Sequence, residues 1–165
     1  MNTPPVHRFT TRSEAESEAW ARALAGLLPA GLVVLLEGDL GTGKSVLARG
    51  ILRGLGVTDA YITSPTFTLV NSYPEARPPA HHFDLYRLTH ADELGFIGME
   101  EYLDGEAVLL VEWPERGGAW IPAQHLRLCL TYVHGHPDWR QIELTAQGAA
   151  AHQLLQRFPL HAHVS

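Results

Sequence analysis

The residues Gly38–Ser45, which read G-D-L-G-T-G-K-S, constrain the fold of this chain more than any other stretch. An apolar run, Leu32–Leu36, stands before them, and apolar residues at helical spacing follow from Val46 to Leu55. The glycines of the stretch allow positive φ angles and let the backbone approach a ligand closely. A strand, a glycine-rich loop ending in Lys-Ser and a helix, in this order, predict the phosphate-binding loop of a P-loop NTPase.

The predicted loop has a defined chemistry. Its backbone N–H groups would form an anion-binding nest, which the N-terminus of the following helix reinforces. Lys44 is expected to hold the β- and γ-phosphates, and the Ser45 hydroxyl is expected to ligate Mg²⁺. The sequence therefore predicts that the protein binds a nucleoside triphosphate. The predicted nucleotide-binding residues are Asp39, Leu40, Gly41, Thr42, Gly43, Lys44, Ser45 and Val46.

Length and composition limit the class of protein. A chain of 165 residues is expected to form one domain, 1–165, with a core of ordinary size. The single cysteine, Cys129, excludes an internal disulfide and fits a reducing compartment. No apolar run approaches the roughly 20 residues needed to span a bilayer, and Met1–Arg12 lacks the apolar segment of a secretory signal. We therefore expect a soluble, cytoplasmic protein.

The net charge of −6 bears on possible partners. The chain has 12 Lys and Arg against 18 Asp and Glu, and Lys44 is its only lysine. Proteins that hold nucleic acid by neutralising phosphates usually present a basic surface. Tight, direct nucleic-acid binding by this chain alone is therefore disfavoured, although a local basic patch remains compatible with the composition.

Hydrophobic periodicity and turn residues predict the remaining elements. They are a helix capped by Ser13 with Glu16, a strand at Tyr61–Thr63, a loop at Ser64–Thr66, a strand at Phe67–Tyr73, a short strand ending near Asp84, a short helix over Ala91–Leu94 capped by Thr89, a strand at Ala107–Val111, a hairpin of Leu126–Val133 with Trp139–Leu144, a helix over Ala149–Phe158 and a frayed tail after Pro159. The predicted fold class is α/β, with a mixed, mostly parallel sheet flanked by helices and an antiparallel C-terminal hairpin.

Three further residues are expected beside the loop, because ligands bind beyond the carboxyl ends of the strands in such sheets. Glu112 directly follows an apolar strand and would hold Mg²⁺ together with Ser45, the alternative being a solvated carboxylate. Asp84 would orient the attacking water or complete the metal shell, the alternative being an Asx-type cap. Thr66 would sense the metal and the γ-phosphate, or else serve as a turn residue. The predicted catalytic residues are Lys44, Thr66, Asp84 and Glu112.

Several other polar and aromatic residues are interpreted as structural. The segment His134–His136 is taken as a solvated hairpin turn, because no further ligands accompany it at a known metal-site spacing. His81 and His82 are interpreted in the same way, with orientation into the site as the alternative for His82. Tyr132 and Trp139 are expected to pair across the hairpin.

Four blocks of sequence, in this order, resemble the TsaE family, also called YjeE. They are Gly38–Ser45, Ser64–Val70, His82–Leu88 and Glu112–Glu115. The likeness runs from about Trp20 to about Leu144. The first block alone would indicate a superfamily, and the other three narrow the resemblance to this family.

The resemblance implies a small ATPase of tRNA threonylcarbamoyladenosine biosynthesis, with ATP and Mg²⁺ as cofactors. Members hydrolyse ATP slowly and act with the TsaD and TsaB proteins, which make the N6-threonylcarbamoyl modification of adenosine 37 in tRNAs that read ANN codons. The ATP cycle is thought to reset that complex between turnovers, so tRNA would be a partner only indirectly, and no membrane partner is implied.

Carried over by position, the resemblance also assigns roles to residues. Lys44 would hold phosphates, Ser45 and Glu112 would serve Mg²⁺, Asp84 would support hydrolysis, Thr66 would belong to a nucleotide-responsive loop, and Trp113 would lie beside the site. The chain has Thr42 where Ala is commoner in the family and Ser45-Val46 where Thr-Thr is commoner. Both departures preserve a hydroxyl and small side chains at the loop.

Two other functions are compatible with a phosphate-binding loop. A small-molecule kinase would share the loop and the chain length, but such enzymes usually close an Arg-bearing lid over two substrates, and no Arg-rich helical segment is evident here. A nucleotide-dependent binding switch, with incidental hydrolysis, lies close to the preferred interpretation. A phosphoacceptor screen separates the first alternative, and a partner pulldown with and without ATP separates the second.

Overall fold

The computed structural model describes residues 5–158. Its strands are β1 His7–Thr11, β2 Val33–Gly38, β3 Val70–Tyr73, β4 Ala80–Asp84, β5 Val108–Glu112, β6 His125–Val133 and β7 His136–Gln147. Its α-helices are α1 Glu14–Ala25, α2 Lys44–Gly54, α3 Glu93–Phe96, α4 Met99–Tyr102 and α5 Ala149–Arg157, and two 3₁₀ turns cover Pro114–Arg116 and Gly118–Trp120. None of the helices in this part of the chain is long and apolar enough to cross a membrane.

The strands form one seven-stranded sheet in the order β1-β7-β6-β2-β5-β4-β3. The central ladders are parallel, since β2 pairs with both β5 and β6, and β4 pairs with β5. The outer ladders, β1 with β7, β6 with β7 and β3 with β4, are antiparallel. The predicted α/β fold, with its mixed sheet and antiparallel C-terminal hairpin, is confirmed. Leu36 and Asp84 both pair with Glu112, so β2, β4 and β5 end together at one edge.

Helices cover both faces of the sheet, which explains the unbroken apolar run of β2. Val34 and Leu36 pack on one side with residues of α1, α2 and α5. Val33 and Leu35 pack on the other side with residues of α3 and α4. Successive residues of a strand point to opposite faces. A strand buried on both faces therefore needs apolar side chains at every position.

The predicted start of α1 is confirmed. The Ser13 hydroxyl accepts a hydrogen bond from the backbone N–H of Glu16 at 3.0 Å. The Glu16 carboxylate accepts in return from the backbone N–H of Arg12, at 2.9 Å. This is the reciprocal arrangement of a capping box, with the return bond one residue further back than usual.

The predicted strand at Tyr61–Thr63 is wrong, and the strand predicted at Phe67–Tyr73 begins only at Val70. The Arg53 guanidinium donates to the backbone carbonyls of Val57, Asp59 and Ala60, which draws this segment back onto the end of α2. The following residues turn instead of extending: the N–H of Leu69 donates to the carbonyl of Pro65 at 2.8 Å, and Leu69 has a φ of 74°.

The region after β4 also differs from expectation. The helix predicted over Ala91–Leu94 is replaced by α3 and α4, which Gly98 separates in a left-handed conformation. Thr89 does not cap α3 through its side chain. Instead, the Glu93 carboxylate accepts from the backbone N–H groups of Thr89 and His90. These two hydrogen bonds lower the pKa of Glu93, and the bond from His90 has the larger effect.

The hairpin is confirmed, but its predicted aromatic pair is not. Tyr132 pairs with Arg140, and Trp139 stacks on His136 with ring centroids 3.9 Å apart. The helix predicted over Ala149–Phe158 is observed as α5, and the predicted frayed tail after Pro159 lies outside the described residues. The short edge strand β1 has no counterpart in the sequence-based prediction, because its two inward residues, Phe9 and Thr11, are too few to give a clear period.

Candidate nucleotide-binding site

The glycine loop lies between the end of β2 and the start of α2, as predicted. Gly38 has a φ of 149° and Gly43 one of 106°, both in the region that side chains disfavour. A Cβ at Gly38 would lie 2.6 Å from the Thr42 hydroxyl and 2.8 Å from the Leu130 carbonyl. Gly43 is the N-cap of α2, so the loop leads directly into the positive end of that helix.

Lys44 is held against the loop from which it projects. Its Nζ donates to the backbone carbonyls of Gly38 and Asp39 and lies 4.0 Å from the centre of the Trp113 ring. The residue is 5% exposed. Burial lowers the pKa of Lys44, and the neighbouring carboxylates, first among them Glu112, act in the opposite direction.

A network of hydroxyls and carboxylates connects the three strand ends. The Ser45 hydroxyl donates to Glu112 Oε1 at 3.1 Å. The Ser64 hydroxyl lies 2.8 Å from Asp84 Oδ2 and 3.1 Å from Glu112 Oε2, so it bridges the two carboxylates. The Thr66 hydroxyl also reaches Asp84 Oδ2, at 3.1 Å. The structure therefore brings together the four side chains predicted to assist Lys44: Ser45, Thr66, Asp84 and Glu112.

Asp84 and Glu112 are buried, with exposures of 5% and 3%. Besides the two hydroxyls, Asp84 accepts through Oδ1 from the backbone N–H of Tyr86 at 3.0 Å. Glu112 accepts from the His82 ring, whose Nε2 lies 2.6 Å from Oε2. The solvated-carboxylate alternative for Glu112 is wrong, because a buried carboxylate with three side-chain partners is not a solvated surface group. The alternative predicted for Asp84, an Asx-type hydrogen bond, is observed with the backbone N–H of Tyr86. The same side chain also lines the site.

The donor set fits a divalent cation of the Mg²⁺ type. Mg²⁺ is bound by oxygen ligands, usually one or two protein groups together with substrate phosphates and water. Ser45 and Glu112 offer such oxygens beside the loop. Among residues 5–158, no three His, Cys, Asp or Glu side chains are grouped so as to hold a metal by themselves. A metal here would therefore depend on the hydroxyl of Ser45 and on the phosphates of a nucleotide.

These groups line a cavity of about 590 Å³, within the usual range for small-molecule sites. Seven of the eight predicted nucleotide-binding residues line it. The eighth, Asp39, does not, and its carbonyl accepts hydrogen bonds from the side chains of Thr42 and Lys44. The β1–α1 region and the hairpin supply further lining residues, which are Arg12, Ser13, Glu14, Ser17, Asp138 and Arg140.

Ser64 and the polar residues of the β1–α1 region and the hairpin were not predicted as site residues. The interpretation of His82 as a solvated residue is wrong, because its side chain is buried and lies 2.6 Å from Glu112. Ser64 could have been found from its place two residues before Thr66 in the same loop. No local sequence pattern identifies Arg12 and Arg140 as site residues, because their position depends on the antiparallel pairing of β1 with β7.

A parallel β-strand that ends in this loop, with the lysine at the start of the next helix, defines the chain as a P-loop NTPase by fold. The family model described as "Threonylcarbamoyl adenosine biosynthesis protein TsaE" matches residues 11–142, and the chain belongs to this family.

Relatives and a solved structure agree with this assignment. Over 127 residues the chain is 39% identical to the tRNA threonylcarbamoyladenosine biosynthesis protein TsaE of Haemophilus influenzae, covering 77% of this chain and 78% of that protein. It is 34% identical to the protein of the same name from Bacillus subtilis over 158 residues, covering 96% and 97% of the two chains. The crystal structure of Bacillus subtilis YdiB superposes with a TM-score of 0.80 at 29% identity, covering 94% of this chain and 95% of that one.

Proposed function

We propose that this protein is a Mg²⁺-dependent ATPase that supports repeated turnover of the TsaB–TsaD complex in the N6-threonylcarbamoyl modification of adenosine 37 of tRNA. Membership of the TsaE family supports a role in this biosynthesis. One structural observation carries the rest of the proposal: the ends of three adjacent strands bring a phosphate-binding loop, its lysine and two buried carboxylates together in one cavity. In this proposal the chain works as a single domain.

The first step is nucleotide binding. Lys44 Nζ donates to two carbonyls of its own loop, and phosphate oxygens carry more negative charge than those carbonyls. We expect Lys44 to exchange the carbonyls for the β- and γ-phosphates of the ligand. The choice of adenine rests on the family resemblance.

The second step is formation of the metal site. Ser45 and Glu112 would hold Mg²⁺, and Asp84, which shares the Ser64 hydroxyl with Glu112, would assist them. When bound, Mg²⁺ neutralises charge that develops on the phosphates. The hydroxyl–carboxylate bond from Ser45 to Glu112 keeps both oxygens close together, so these ligands need little rearrangement to bind the ion.

The third step is activation of water. Asp84 accepts hydrogen bonds from Ser64, Thr66 and the backbone of Tyr86, which fix its carboxylate at the cavity wall. A fixed carboxylate is suited to orient an attacking water. Because Ser64 and Thr66 lie in one loop, a change at Asp84 during hydrolysis would be passed to that loop. Through this connection, the conformation of the loop that contains Ser64 and Thr66 would depend on the bound nucleotide, and a partner protein could recognise that conformation.

The acidic net charge supports an indirect relation to tRNA. With 18 acidic and 12 basic residues the chain lacks the overall charge of a tRNA-binding protein. We therefore propose that tRNA is engaged through TsaB and TsaD, in the cytoplasm.

The test is to measure ATP hydrolysis by the purified protein alone and with TsaB, TsaD and tRNA, while counting modified adenosines per complex. We expect hydrolysis to rise with the partners, and modification beyond the first turnover to require this protein. Lys44→Ala is expected to abolish both effects. If hydrolysis ignores the partners and modification continues without this chain, the proposed role is wrong. A phosphoacceptor screen would then test the kinase alternative.

A further inference from the structure

The β6–β7 hairpin contacts the glycine loop at two backbone carbonyls. The Tyr132 hydroxyl donates to the carbonyl of Leu40 at 3.0 Å. The Arg140 Nε donates to the carbonyl of Thr42 at 2.8 Å. A Cβ at Gly41 would lie 3.2 Å from the Tyr132 hydroxyl, so the hairpin is in close contact with the loop. Neither contact involves a group that the proposed ATPase chemistry uses.

Trans peptide geometry gives these two bonds a consequence. In a planar trans peptide the C=O and the N–H of the next residue point in opposite directions. A bond that holds the Leu40 carbonyl toward Tyr132 therefore directs the N–H of Gly41 away from Tyr132. In the same way, the bond to the Thr42 carbonyl directs the N–H of Gly43 away from the Arg140 Nε. Loop N–H groups of this kind are the donors on which an anion-binding nest depends.

An irregularity in the hairpin aims Arg140 at the loop. Tyr132 pairs with Arg140 while the next residue, Val133, pairs with His136, so three residues of β7 are left out of register. Bulges of this kind bend a strand and redirect a side chain. Arg140 Nη1 donates to the carbonyls of Pro137 and Trp139 inside the bulge, and its guanidinium lies 4.6 Å from the Tyr132 ring. The Arg140 side chain is thus fixed on several sides before any ligand binds.

We infer that Tyr132 and Arg140 are positioning residues of the nucleotide site: they hold the carbonyls of Leu40 and Thr42 so that the N–H groups of Gly41 and Gly43 face the phosphates. The inference rests on the proposed nucleotide binding and assigns a role to the C-terminal hairpin. Because the effect is on donors to the phosphates beyond the α-position, it is greatest for ligands that carry a β-phosphate.

The test compares ADP and AMP binding by isothermal titration calorimetry in the presence of EDTA. Arg140→Gln is expected to weaken ADP binding about tenfold, and Tyr132→Phe about threefold, since each loses one hydrogen bond that orients a donor. AMP binding should change much less in both variants. Arg140→Lys keeps the positive charge but lacks the planar guanidinium group, and should show an intermediate loss of ADP affinity.

Arg8→Gln is the matched control, since Arg8 pairs with Glu143 of the same β7 strand through an exposed ion pair and does not touch the loop. It should leave both affinities unchanged. Tyr132→Phe remains informative if Arg140→Gln disturbs the bulge, because the Tyr132 hydroxyl makes no bond within it. The amide ¹H–¹⁵N signals of Gly41 and Gly43, recorded without nucleotide, give a second readout. Tyr132→Phe should shift the first signal most, and the Arg140 variants the second.

Unchanged ADP affinity together with unchanged glycine signals would overturn the inference. Equal losses for ADP and AMP would also overturn it, because they would mean that Arg140 contacts the nucleoside or the α-phosphate directly. Failure of the wild-type protein to bind ADP would contradict the proposed function, and the glycine signals would still test the orientation of the loop.

Discussion

His82 Nε2 lies 2.6 Å from Glu112 Oε2, and both side chains are almost fully buried, at 2% and 3% exposure. A carboxylate can only accept hydrogen bonds, so Nε2 carries the proton in this pair. No described residue accepts from or donates to His82 Nδ1. The other Glu112 oxygen, Oε1, faces the hydroxyl of Ser45. His82 thus fixes one oxygen of Glu112 and leaves the other directed at the proposed metal position.

Replacing His82 tests this relationship. We expect His82→Ala to raise the Mg²⁺ concentration needed for half-maximal ATP turnover by roughly tenfold or more, as is typical when the partner of a metal ligand is removed. His82→Gln retains an N–H donor of similar reach and should recover part of the loss. Metal-free ADP binding, measured by calorimetry, should stay near the wild-type value in both.

His81→Gln is the control for the His82 variants, because His81 lies on the same strand but bonds to Ser72 away from the site. It should show wild-type Mg²⁺ dependence. Equal Mg²⁺ requirements in His82→Ala and the wild-type protein would mean that Glu112 is not oriented by His82.

The two buried carboxylates are expected to respond differently to neutral substitutions. Glu112→Gln should raise the Mg²⁺ requirement, because it removes the charged oxygen that faces Ser45. Asp84→Asn should leave Mg²⁺-ADP binding close to normal and lower the turnover rate by about 10²-fold or more, as expected for loss of a group that assists proton transfer. Titration calorimetry and single-turnover hydrolysis separate the two effects. Normal single-turnover rates in Asp84→Asn would remove Asp84 from the reaction.

The residues whose positions were predicted correctly share one property: their position depends on local chain geometry. Gly38–Ser45 is contiguous, and the strand and helix that flank it position its glycines, lysine and serine. Asp84 and Glu112 end two adjacent parallel strands, and the carboxyl ends of parallel strands meet at one edge of the sheet irrespective of the loops. These positions follow from periodicity and from a general rule of sheet topology.

The features that could not be predicted depend on contacts distant in sequence. Arg140 reaches the loop only because β7 enters the sheet between β1 and β6 and carries a bulge. Tyr61–Thr63 has residues that favour strands, yet Arg53 holds the preceding carbonyls and the segment stays irregular. No local pattern distinguishes these outcomes from the alternatives, because the deciding partner lies elsewhere in the chain.

The lysine of the loop should give nucleotide binding a distinctive pH dependence. Burial lowers the pKa of Lys44, and only the protonated form attracts phosphate. Below this lowered pKa the lysine is charged, so ADP affinity should be at its maximum. As the pH rises through the pKa the lysine becomes neutral and ADP affinity should fall. The fall should occur at a lower pH than for a lysine with the usual pKa. Calorimetric titrations in EDTA at increasing alkaline pH measure this. Lys44→Met should bind weakly with little pH dependence over the same range, and parallel curves for the two proteins would contradict the assignment.

Gly50 and Gly26 should respond in opposite directions to the same added methyl group. A Cβ at Gly50 would lie 2.5 Å from the Glu18 carbonyl and 2.8 Å from the Ala21 Cβ, where α2 crosses α1. Gly50→Ala should therefore lower the free energy of unfolding by about 1–3 kcal/mol, despite the better helix propensity of alanine. Gly26 has a φ of −62°, and a Cβ added there would meet its nearest atom, the Ala23 carbonyl oxygen, at 3.5 Å. Gly26→Ala should be neutral or stabilise by up to about 1 kcal/mol, because it restricts only the unfolded chain. Urea unfolding of both variants measures the difference, and equal midpoints would show that the two helices can separate at Gly50 without cost.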